Sequence, residues 1–264
     1  MKLFNLLKDI KNKRKFSAFT AESQKKTLHK NLEFVATEQY KLVRTNLDFV
    51  IPEGTKCPVI GVTSSMRGDG KSTTAINLSY VLAERGSKVL LIDGDLRIPS
   101  VAKKMGISPS PGLTHFLINK DIQEIDKFKT EVLDNWYIMP SGSIPPNPSE
   151  LLGSKRMESA LAVLKDTFDY IVIDLPPVNV VSDALSISNL ITGMIIVIRE
   201  EYTEKKELER CFRQLKLSNV NILGCVMNEA KTVGDGSGKY KRYKNYRYYH
   251  RNEYKLNSEE ENND

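Results

Sequence analysis

The pattern of apolar and polar segments along the chain predicts an α/β fold. Six short apolar runs rich in Val and Ile lie between residues 58 and 228, and runs of this length are typical of buried strands. Because helical stretches alternate with them, we predict a mostly parallel sheet flanked by helices on both faces. The predicted strands are Val59–Ser64, Lys88–Asp93, Trp136–Pro140, Tyr170–Asp174, Met194–Ile198 and Ile222–Met227.

The helical stretches lie between these runs, and one of them precedes the first strand. In folds of this kind, ligands bind outside the carboxyl ends of the strands, so polar residues at those ends are candidates for chemistry. The predicted helices are Asn31–Val50, Lys71–Arg85, Lys155–Phe168, Asp183–Leu190 and Glu204–Leu217.

The chain has 264 residues, of which 40% are hydrophobic, and this is enough for one domain with a buried core. We predict that this domain covers residues 31–230. A basic segment, residues 1–30, precedes it and could be either a short amphipathic helix on a membrane surface or a frayed, solvated terminus. A Gly-rich polar stretch after the last strand predicts that residues 231–264 form a flexible tail.

The net charge of +6 is local rather than spread over the chain. The segment KYKRYKNYRYYHRNEYK, residues 239–255, carries an equal excess of positive charge, so the remainder is balanced. Alternating aromatic and basic residues often bind single-stranded nucleic acid, and the charge also suits anionic lipid. The tyrosines could equally be phosphate acceptors; they are Tyr240, Tyr243, Tyr246, Tyr248, Tyr249 and Tyr254.

The cysteines and the apolar runs exclude several classes of protein. Cys57, Cys211 and Cys225 lie far apart, without a C-x-x-C pair or His at metal-ligand spacing, so neither a disulfide framework nor a zinc site is expected. No apolar run approaches the roughly 20 residues needed to span a bilayer. The amino-terminal sequence lacks the pattern of a signal peptide. We therefore expect a cytoplasmic protein whose membrane association, if any, is peripheral.

The most specific motif is a phosphate-binding loop between the first strand and the next helix. In VTSSMRGDGKSTTAINL, residues 62–78, the pattern G-x-x-x-x-G-K-[ST] is met except that Ser65 replaces the first Gly. Backbone N–H groups of such a loop surround phosphates, and the helix amino terminus adds partial positive charge. Lys71 would contact the β- and γ-phosphates, and Ser72 would ligate Mg²⁺. The candidate nucleotide ligands of the loop are Gly68, Asp69, Gly70, Lys71, Ser72 and Thr73.

Two other predicted strands end in acidic residues. VLLIDGDLRIP ends a strand with Asp93 and Asp95, and YIVIDLPPV ends another with Asp174. Carboxylates at the carboxyl ends of parallel strands lie in the ligand crevice, where Mg²⁺ and its water ligands need oxygen partners. We predict that Ser72, Asp93 and Asp174 hold the metal ion.

These motifs together resemble those of the bacterial tyrosine kinases. GDGKST is similar to the family's Walker A loop, LLIDGDLR to its second Walker A-like motif, and IVIDLPP to its Walker B motif. PSGSIPPNPSELL, residues 140–152, resembles the stretch between those motifs, and EQYKLVRTN, residues 38–46, resembles the family's oligomerisation motif. The resemblance covers about residues 36–254 and ends in a tyrosine cluster like that of the family.

The resemblance implies a P-loop kinase that uses ATP and Mg²⁺ and phosphorylates its own tail tyrosines in trans. Lys71, Asp93, Asp95 and Asp174 would be catalytic, either Asp93 or Asp95 acting on the tyrosine hydroxyl. Arg97 would bind the nucleotide, and Asn228, by analogy with related ATPases, would contact adenine. Glu38, Lys41 and Arg44 would mediate oligomerisation.

The same resemblance implies a role in capsular or exopolysaccharide synthesis. The expected partners are further copies of the chain, a membrane activator protein of the polysaccharide co-polymerase type, and a tyrosine phosphatase. Such an activator would recruit the chain to the inner face of the cell membrane.

The chain departs from the family pattern at two positions, and two alternatives stay open. Arg67 stands where the family's loop usually has Pro, and Lys41 where its oligomerisation motif usually has Arg. One alternative is a partition or division-site ATPase, but the signature Lys that opens the loop in that class is absent here. The other is a nucleic-acid-binding or lipid-binding ATPase that uses the basic aromatic tail.

Overall fold

The computed structural model describes Thr27 and residues 34–118 and 125–230, and six strands lie within these residues. All six were predicted from the sequence, and no strand end differs from its predicted position by more than one residue. The runs of Val and Ile in the first five strands are mostly buried, which explains why the pattern alone located them, whereas the last strand, at the edge of the sheet, buries only Leu223. The strands are β1 Val59–Ser64, β2 Val89–Asp93, β3 Trp136–Met139, β4 Tyr170–Asp174, β5 Gly193–Arg199 and β6 Ile222–Asn228.

The strands form one sheet in the order β3-β2-β4-β1-β5-β6, and every pairing is parallel. The predicted α/β class is therefore confirmed. β1 lies between β4 and β5, so the loop that follows β1 is flanked by the carboxyl ends of both. In the pairing of β2 with β4, Asp93 lies directly opposite Asp174. This register brings two of the predicted acidic residues to the same edge of the sheet.

Helices cover both faces of the sheet. The stretch predicted as one helix over Asp183–Leu190 is instead a short α-helix followed by a 3-10 turn at Ser188–Leu190, and that prediction was wrong in detail. Three α-helices of five or six residues were not predicted, since they are too short to show a helical period. The α-helices are α1 Phe34–Val50, α2 Lys71–Glu84, α3 Val101–Met105, α4 Leu113–Ile118, α5 Pro148–Leu152, α6 Lys155–Thr167, α7 Asp183–Ser186 and α8 Lys205–Leu217.

Each face of the sheet has its own apolar core. On one face, α2 packs against the sheet with Leu78 and Leu82 fully buried, and burial of each such side chain stabilises the fold by about 1.5–3 kcal/mol. On the other face, α6 and α8 contribute Leu161 and Leu215. Because α1 packs on the side of α2 away from the sheet, α2 is buried on most of its circumference. This packing fixes the amino terminus of α2, where Lys71 lies.

Two further findings concern the described part of the chain. Cys57 and Cys211 are buried free thiols, and Cys225 is an exposed one. Among the helices of residues 34–118 and 125–230, none has the length and apolar character needed to cross a bilayer.

Candidate active site

The loop of residues 65–70 connects β1 to α2 and turns at two glycines. Gly68 has φ +92° and Gly70 has φ +96°, a region that side chains rarely adopt. A Cβ atom at Gly68 would lie 2.9 Å from the Tyr202 hydroxyl, and one at Gly70 would collide with the Asn228 amide. The glycines are therefore required both by the backbone conformation and by the close approach of neighbouring residues.

Lys71, the first residue of α2, lies among acidic groups. Its ammonium nitrogen is 2.9 Å from Asp95 Oδ2 and 3.3 Å from Asp174 Oδ1, and it also donates to the Ser72 hydroxyl at 3.3 Å. Burial lowers the pKa of Lys71, but the carboxylates of Asp174 and Asp95 raise it by more, so its pKa lies above the usual value. Lys71 is consequently a cation whose side chain is 12% exposed and which these carboxylates neutralise.

Asp93 and Asp174 are fully buried at the ends of β2 and β4. Burial and the nearby charge of Asp174 raise the pKa of Asp93 to about 8. Burial also raises the pKa of Asp174, and the Lys71 ammonium opposes that rise. Asp93 Oδ2 accepts hydrogen bonds from the backbone N–H groups of Ser100 and Val101 at 3.1 and 3.0 Å. Asp93 thus holds the start of α3 in place, in addition to facing Asp174.

The donors at this edge fit a magnesium ion that takes most of its ligands from a nucleotide and water. Within the described residues, Oδ2 of Asp174 is buried and has no hydrogen-bond partner. A buried carboxylate oxygen of this kind is able to coordinate a cation. No group of three or more His, Cys, Asp or Glu residues in this part of the chain could hold a metal ion alone. Mg²⁺ often binds through one or two carboxylates, substrate phosphates and water. Ser72 and Asp174 are the residues best placed to supply its protein ligands.

The Asp69 side chain points into the protein and not toward a ligand. Its carboxylate is fully buried and accepts hydrogen bonds from the Met66 N–H at 3.1 Å and the Thr203 hydroxyl at 2.8 Å. Of the candidate loop residues, Asp69 can therefore contact a nucleotide through its backbone but not through its carboxylate.

The predicted motifs thus meet at one place, and comparison with known proteins assigns the family. A family model described as an AAA domain matches residues 57–222. Tyrosine-protein kinase YwqD of Bacillus subtilis is 38% identical over 172 residues, which cover 64% of this chain and 71% of that protein. Tyrosine-protein kinase CpsD of Streptococcus pneumoniae is 37% identical over 180 residues, which cover 67% and 78%. The chain belongs to the bacterial tyrosine kinases.

Solved structures agree with this assignment of the kinase. The kinase domain of Escherichia coli tyrosine kinase ETK superposes with a TM-score of 0.66 and 30% identity, over 77% of this chain and 80% of that one. A chimerical protein, CapA2B2, superposes with a TM-score of 0.67 and 31% identity, over 73% and 84%. The cell division ATPase MinD of Pyrococcus furiosus reaches a TM-score of 0.54 and 27% identity, over 67% and 74%. The division-site ATPase alternative thus shares the fold, but the kinases are closer in structure and sequence.

Arg97 of the kinase is paired with a buried acid. Its guanidinium makes two bonds to the Asp183 carboxylate, at 2.8 and 3.0 Å, and approaches the Ser149 hydroxyl at 3.5 Å. Asp183 is fully buried at the start of α7. This pair links the loop after β2 to α5 and α7, and the predicted contact of Arg97 with a nucleotide stays a prediction.

Asn228, the last residue of β6, lies beside the phosphate loop. Its amide nitrogen donates to the Asp69 carbonyl at 2.9 Å. The predicted contact of Asn228 with adenine stays a prediction, and its observed partner is the loop backbone.

Thr73, in the first turn of α2, accepts a hydrogen bond from the Lys104 ammonium at 3.0 Å. Its predicted contact with a nucleotide stays a prediction.

The three charged residues of α1 predicted to mediate oligomerisation make contacts within the kinase itself. Lys41 pairs with Glu38 at 3.1 Å, and Arg44 donates to the Val81 carbonyl in α2 at 2.6 Å. Arg44 therefore fastens α1 to α2, which the sequence motif did not reveal. Self-association through this set stays a prediction.

The remaining predicted site residues lie outside the described part of the kinase. The six tail tyrosines belong to residues 231–264, and the basic segment belongs to residues 1–30, of which only Thr27 is described. The domain boundaries and the acceptor role therefore stay predictions.

Sequence reasoning missed Tyr202, Thr203 and Asp183. The first two lie three and four residues after the end of β5, and the rule that ligands bind at strand carboxyl ends would have suggested them. Applying that rule requires knowing that β5 lies next to β1, which the order of elements along the chain does not show.

Proposed function

We propose that this tyrosine kinase binds ATP with Mg²⁺ and transfers the γ-phosphoryl group to its own tail tyrosines, from one copy of the chain to another. We further propose that this cycle controls the synthesis of a capsular or exopolysaccharide. The observation that carries the proposal is the position of Lys71 between Asp95 and Asp174, at the amino terminus of α2 and beside the two-glycine loop. CapB of Staphylococcus aureus, whose name denotes a putative tyrosine kinase, is 33% identical over 73% of its length.

Phosphoryl transfer requires positioning and neutralisation of charge more than covalent catalysis by the protein. The backbone N–H groups of the loop and the partial charge of α2 bind the phosphates, and Lys71 exchanges its carboxylate partners for phosphate oxygens. Mg²⁺, when bound beside Ser72 and Asp174, supplies further positive charge to the phosphates. Each of these contacts favours the charge distribution of the transferring phosphoryl group.

The tail hydroxyl is oriented or deprotonated by a strand-end carboxylate, and Asp95 is the better candidate. Both oxygens of Asp93 accept backbone N–H groups, from Asp95 and from the start of α3. Asp95 instead uses Oδ2 to bind Lys71. When Lys71 turns toward phosphate, that oxygen becomes available to the incoming tyrosine.

A membrane activator protein is the proposed partner, together with further copies of the chain and a tyrosine phosphatase that removes the modification. The resemblance to the chimerical protein CapA2B2 and to capsule-named kinases supports this proposal. The activator holds the kinase at the inner face of the cell membrane, whereas nucleic acid is not an expected partner. Addition of the activator's cytoplasmic segment should raise tail phosphorylation, and no change would contradict the proposed partner.

The deciding experiment separates the enzyme from the acceptor. A Lys71→Met chain keeps the tail but loses the charge that binds phosphate, so it should show no phosphotyrosine when incubated alone with ATP and Mg²⁺. Mixed with an active chain that lacks residues 231–264, it should become labelled on the tail, as mass spectrometry can map. Lys56→Met, which alters an exposed pair with Asp166, is the matched control and should behave as wild type. Phosphotyrosine in the Lys71→Met chain alone would exclude the proposed site.

A further inference from the structure

The phosphate loop needs support from outside, because two of its six residues are glycines. Glycine loses more conformational entropy on ordering than any other residue. A loop that must present its N–H groups to an anion therefore benefits from contacts that restrict its peptide planes before the anion arrives. In this kinase, contacts to the loop come from the last residue of β5 and the turn after it, Arg199–Thr203, and from the last residue of β6.

Three consecutive carbonyl groups of the loop accept hydrogen bonds from these two segments. The Tyr202 hydroxyl donates to the Arg67 carbonyl at 3.1 Å, and Arg199 Nη1 approaches the Gly68 carbonyl at 3.4 Å. The Asn228 amide donates to the Asp69 carbonyl at 2.9 Å. The Arg199 guanidinium also lies over the Tyr202 ring, 4.9 Å from its centre, which keeps the two side chains together.

These three bonds determine where the loop N–H groups point. A peptide unit is planar and trans, so its C=O and the N–H of the following residue point in opposite directions. Anchoring the carbonyls of three consecutive residues on one side directs the next N–H groups, those of Gly68, Asp69 and Gly70, to the other side. None of these N–H groups donates a hydrogen bond within the described part of the chain. They form a set of aligned donors of the kind that binds phosphate oxygens.

Thr203 supports the same loop through Asp69. The Thr203 hydroxyl accepts a hydrogen bond from the Arg199 N–H at 2.8 Å, so its own proton is directed to Asp69 Oδ1, also at 2.8 Å. Oδ2 of this fully buried carboxylate then accepts the N–H of Met66, at the beginning of the loop. Thr203 thus fixes Asp69, and Asp69 fixes the entry of the loop.

We infer that Tyr202 and Thr203 are positioning residues for ATP, which hold the phosphate loop in its anion-binding conformation before the nucleotide binds. They touch the loop from the side opposite its aligned N–H groups, so they act on the nucleotide only through the loop. The inference rests on the proposed binding of ATP at this loop.

The test measures the affinity of the full chain for a non-hydrolysable ATP analogue with Mg²⁺, by calorimetry. Thr203→Val removes the hydroxyl without changing the shape of the side chain and should weaken binding about tenfold, the effect of a hydrogen bond to a charged group. Thr203→Ser restores the hydroxyl and should bind within about twofold of wild type. Tyr202→Phe should weaken binding about threefold to fivefold, as for a neutral hydrogen bond.

Two controls and a coupling measurement distinguish positioning from a general loss of stability. Thr130→Val and Tyr170→Phe remove hydroxyls with partners elsewhere, Leu133 and Arg85, and should leave affinity unaltered. Because Thr203 acts through Asp69, the double variant Thr203→Val with Asp69→Asn should bind no more weakly than Asp69→Asn alone. In kinase assays, the loss should appear in KM for ATP, with kcat nearly unaltered.

The outcomes also distinguish this inference from the proposed function. If wild type does not bind the analogue, the proposed nucleotide site is wrong and the inference with it. If wild type binds and Thr203→Val binds equally well, the inference alone is wrong. A Thr203→Ser chain that binds as weakly as Thr203→Val would also overturn it, since the hydroxyl would then not be the cause.

Discussion

At the scale of single residues, the site contains two groups of charged side chains: one is placed to bind phosphate, and the other stabilises the fold. Lys71, Asp95 and Asp174 form a cluster whose partners must change when phosphate binds. Arg97 and Asp183 form a pair with two hydrogen bonds in which the carboxylate is fully buried. Removing one member of such a pair leaves a buried charge without compensation. We therefore expect Arg97 to stabilise the folded kinase, in addition to the nucleotide contact that the sequence predicts for it.

Replacement of Arg97 should lower the stability of the nucleotide-free kinase. Arg97→Ala leaves the Asp183 carboxylate buried and unpaired, and we expect a loss of about 2 kcal/mol in the free energy of unfolding. Asp183→Asn added to that variant should recover much of the loss, because a neutral amide is less costly to bury. Urea denaturation followed by circular dichroism measures both changes, with Lys56→Ala, in an exposed pair, as the control. Equal stability of Arg97→Ala and wild type would show that the pair contributes nothing.

At the scale of helices and strands, α1 is both a structural element and the predicted surface for self-association. Arg44 joins it to α2, whereas Glu38 and Lys41 pair with each other along the helix. Replacement of Arg44 should therefore affect the packing of α1 on α2, whereas replacement of Glu38 and Lys41 should affect mainly self-association. Leu42 and Phe49, which lie seven positions apart and are 52% and 83% exposed, give the helix an apolar surface as well.

Replacement of all three charged residues of α1 by Ala should reduce self-association, measured by light scattering. Arg44→Ala alone should also lower the melting temperature, because it removes the bond to Val81. Glu38→Ala and Lys41→Ala should change assembly with little effect on melting, since a half-buried pair within one helix at this spacing contributes only about 0–1 kcal/mol. Unaltered assembly in the triple variant would indicate that these charges serve only the single chain.

The strands and the motif residues could be predicted from the sequence because each depends on local information. Asp93, Asp95 and Asp174 follow apolar runs directly, and Lys71 follows a recognisable loop. The contacts of Tyr202, Thr203 and Arg97 could not be predicted, because they depend on which strands become neighbours in the sheet. The short helices α3, α4 and α5 were missed because their ends are determined by tertiary contacts, such as the bonds from Ser100 and Val101 to Asp93.

At the scale of the whole molecule, phosphorylation would change the charge of the proposed acceptor tail. Residues 239–255 carry seven Lys and Arg residues against one Glu, an excess of +6. We expect this basic tail to contribute to contacts between copies, because the proposed transfer takes the tail of one copy to the site of another. Each phosphate added to a tyrosine contributes about −1.5 to −2 charges, so several would make the tail acidic.

Phosphorylation should therefore loosen the assembly, and the tail tyrosines should be responsible. A chain with all six tail tyrosines replaced by Phe keeps the aromatic rings and the positive charge, but cannot accept phosphate. In light scattering after incubation with ATP and Mg²⁺, wild type should dissociate, whereas this variant should stay assembled. If wild type carries no tail phosphate and the Phe variant binds nucleic acid in a salt-sensitive manner, the alternative of a nucleic-acid-binding ATPase would be favoured instead.

The anchoring of the phosphate loop by Asn228 has a consequence for communication along the chain. Asn228 ends β6, an edge strand of the sheet, and the tail begins shortly after it. A force or a partner that pulls on the tail reaches this strand end before any other part of the domain. Displacement of the strand end by a residue's length would break the bond from Asn228 to the Asp69 carbonyl, one of the three that orient the phosphate loop. Tension on the tail would thereby lower the affinity of the kinase for nucleotide. A chain whose tail is held by a partner would then bind ATP more weakly than a chain whose tail is unbound.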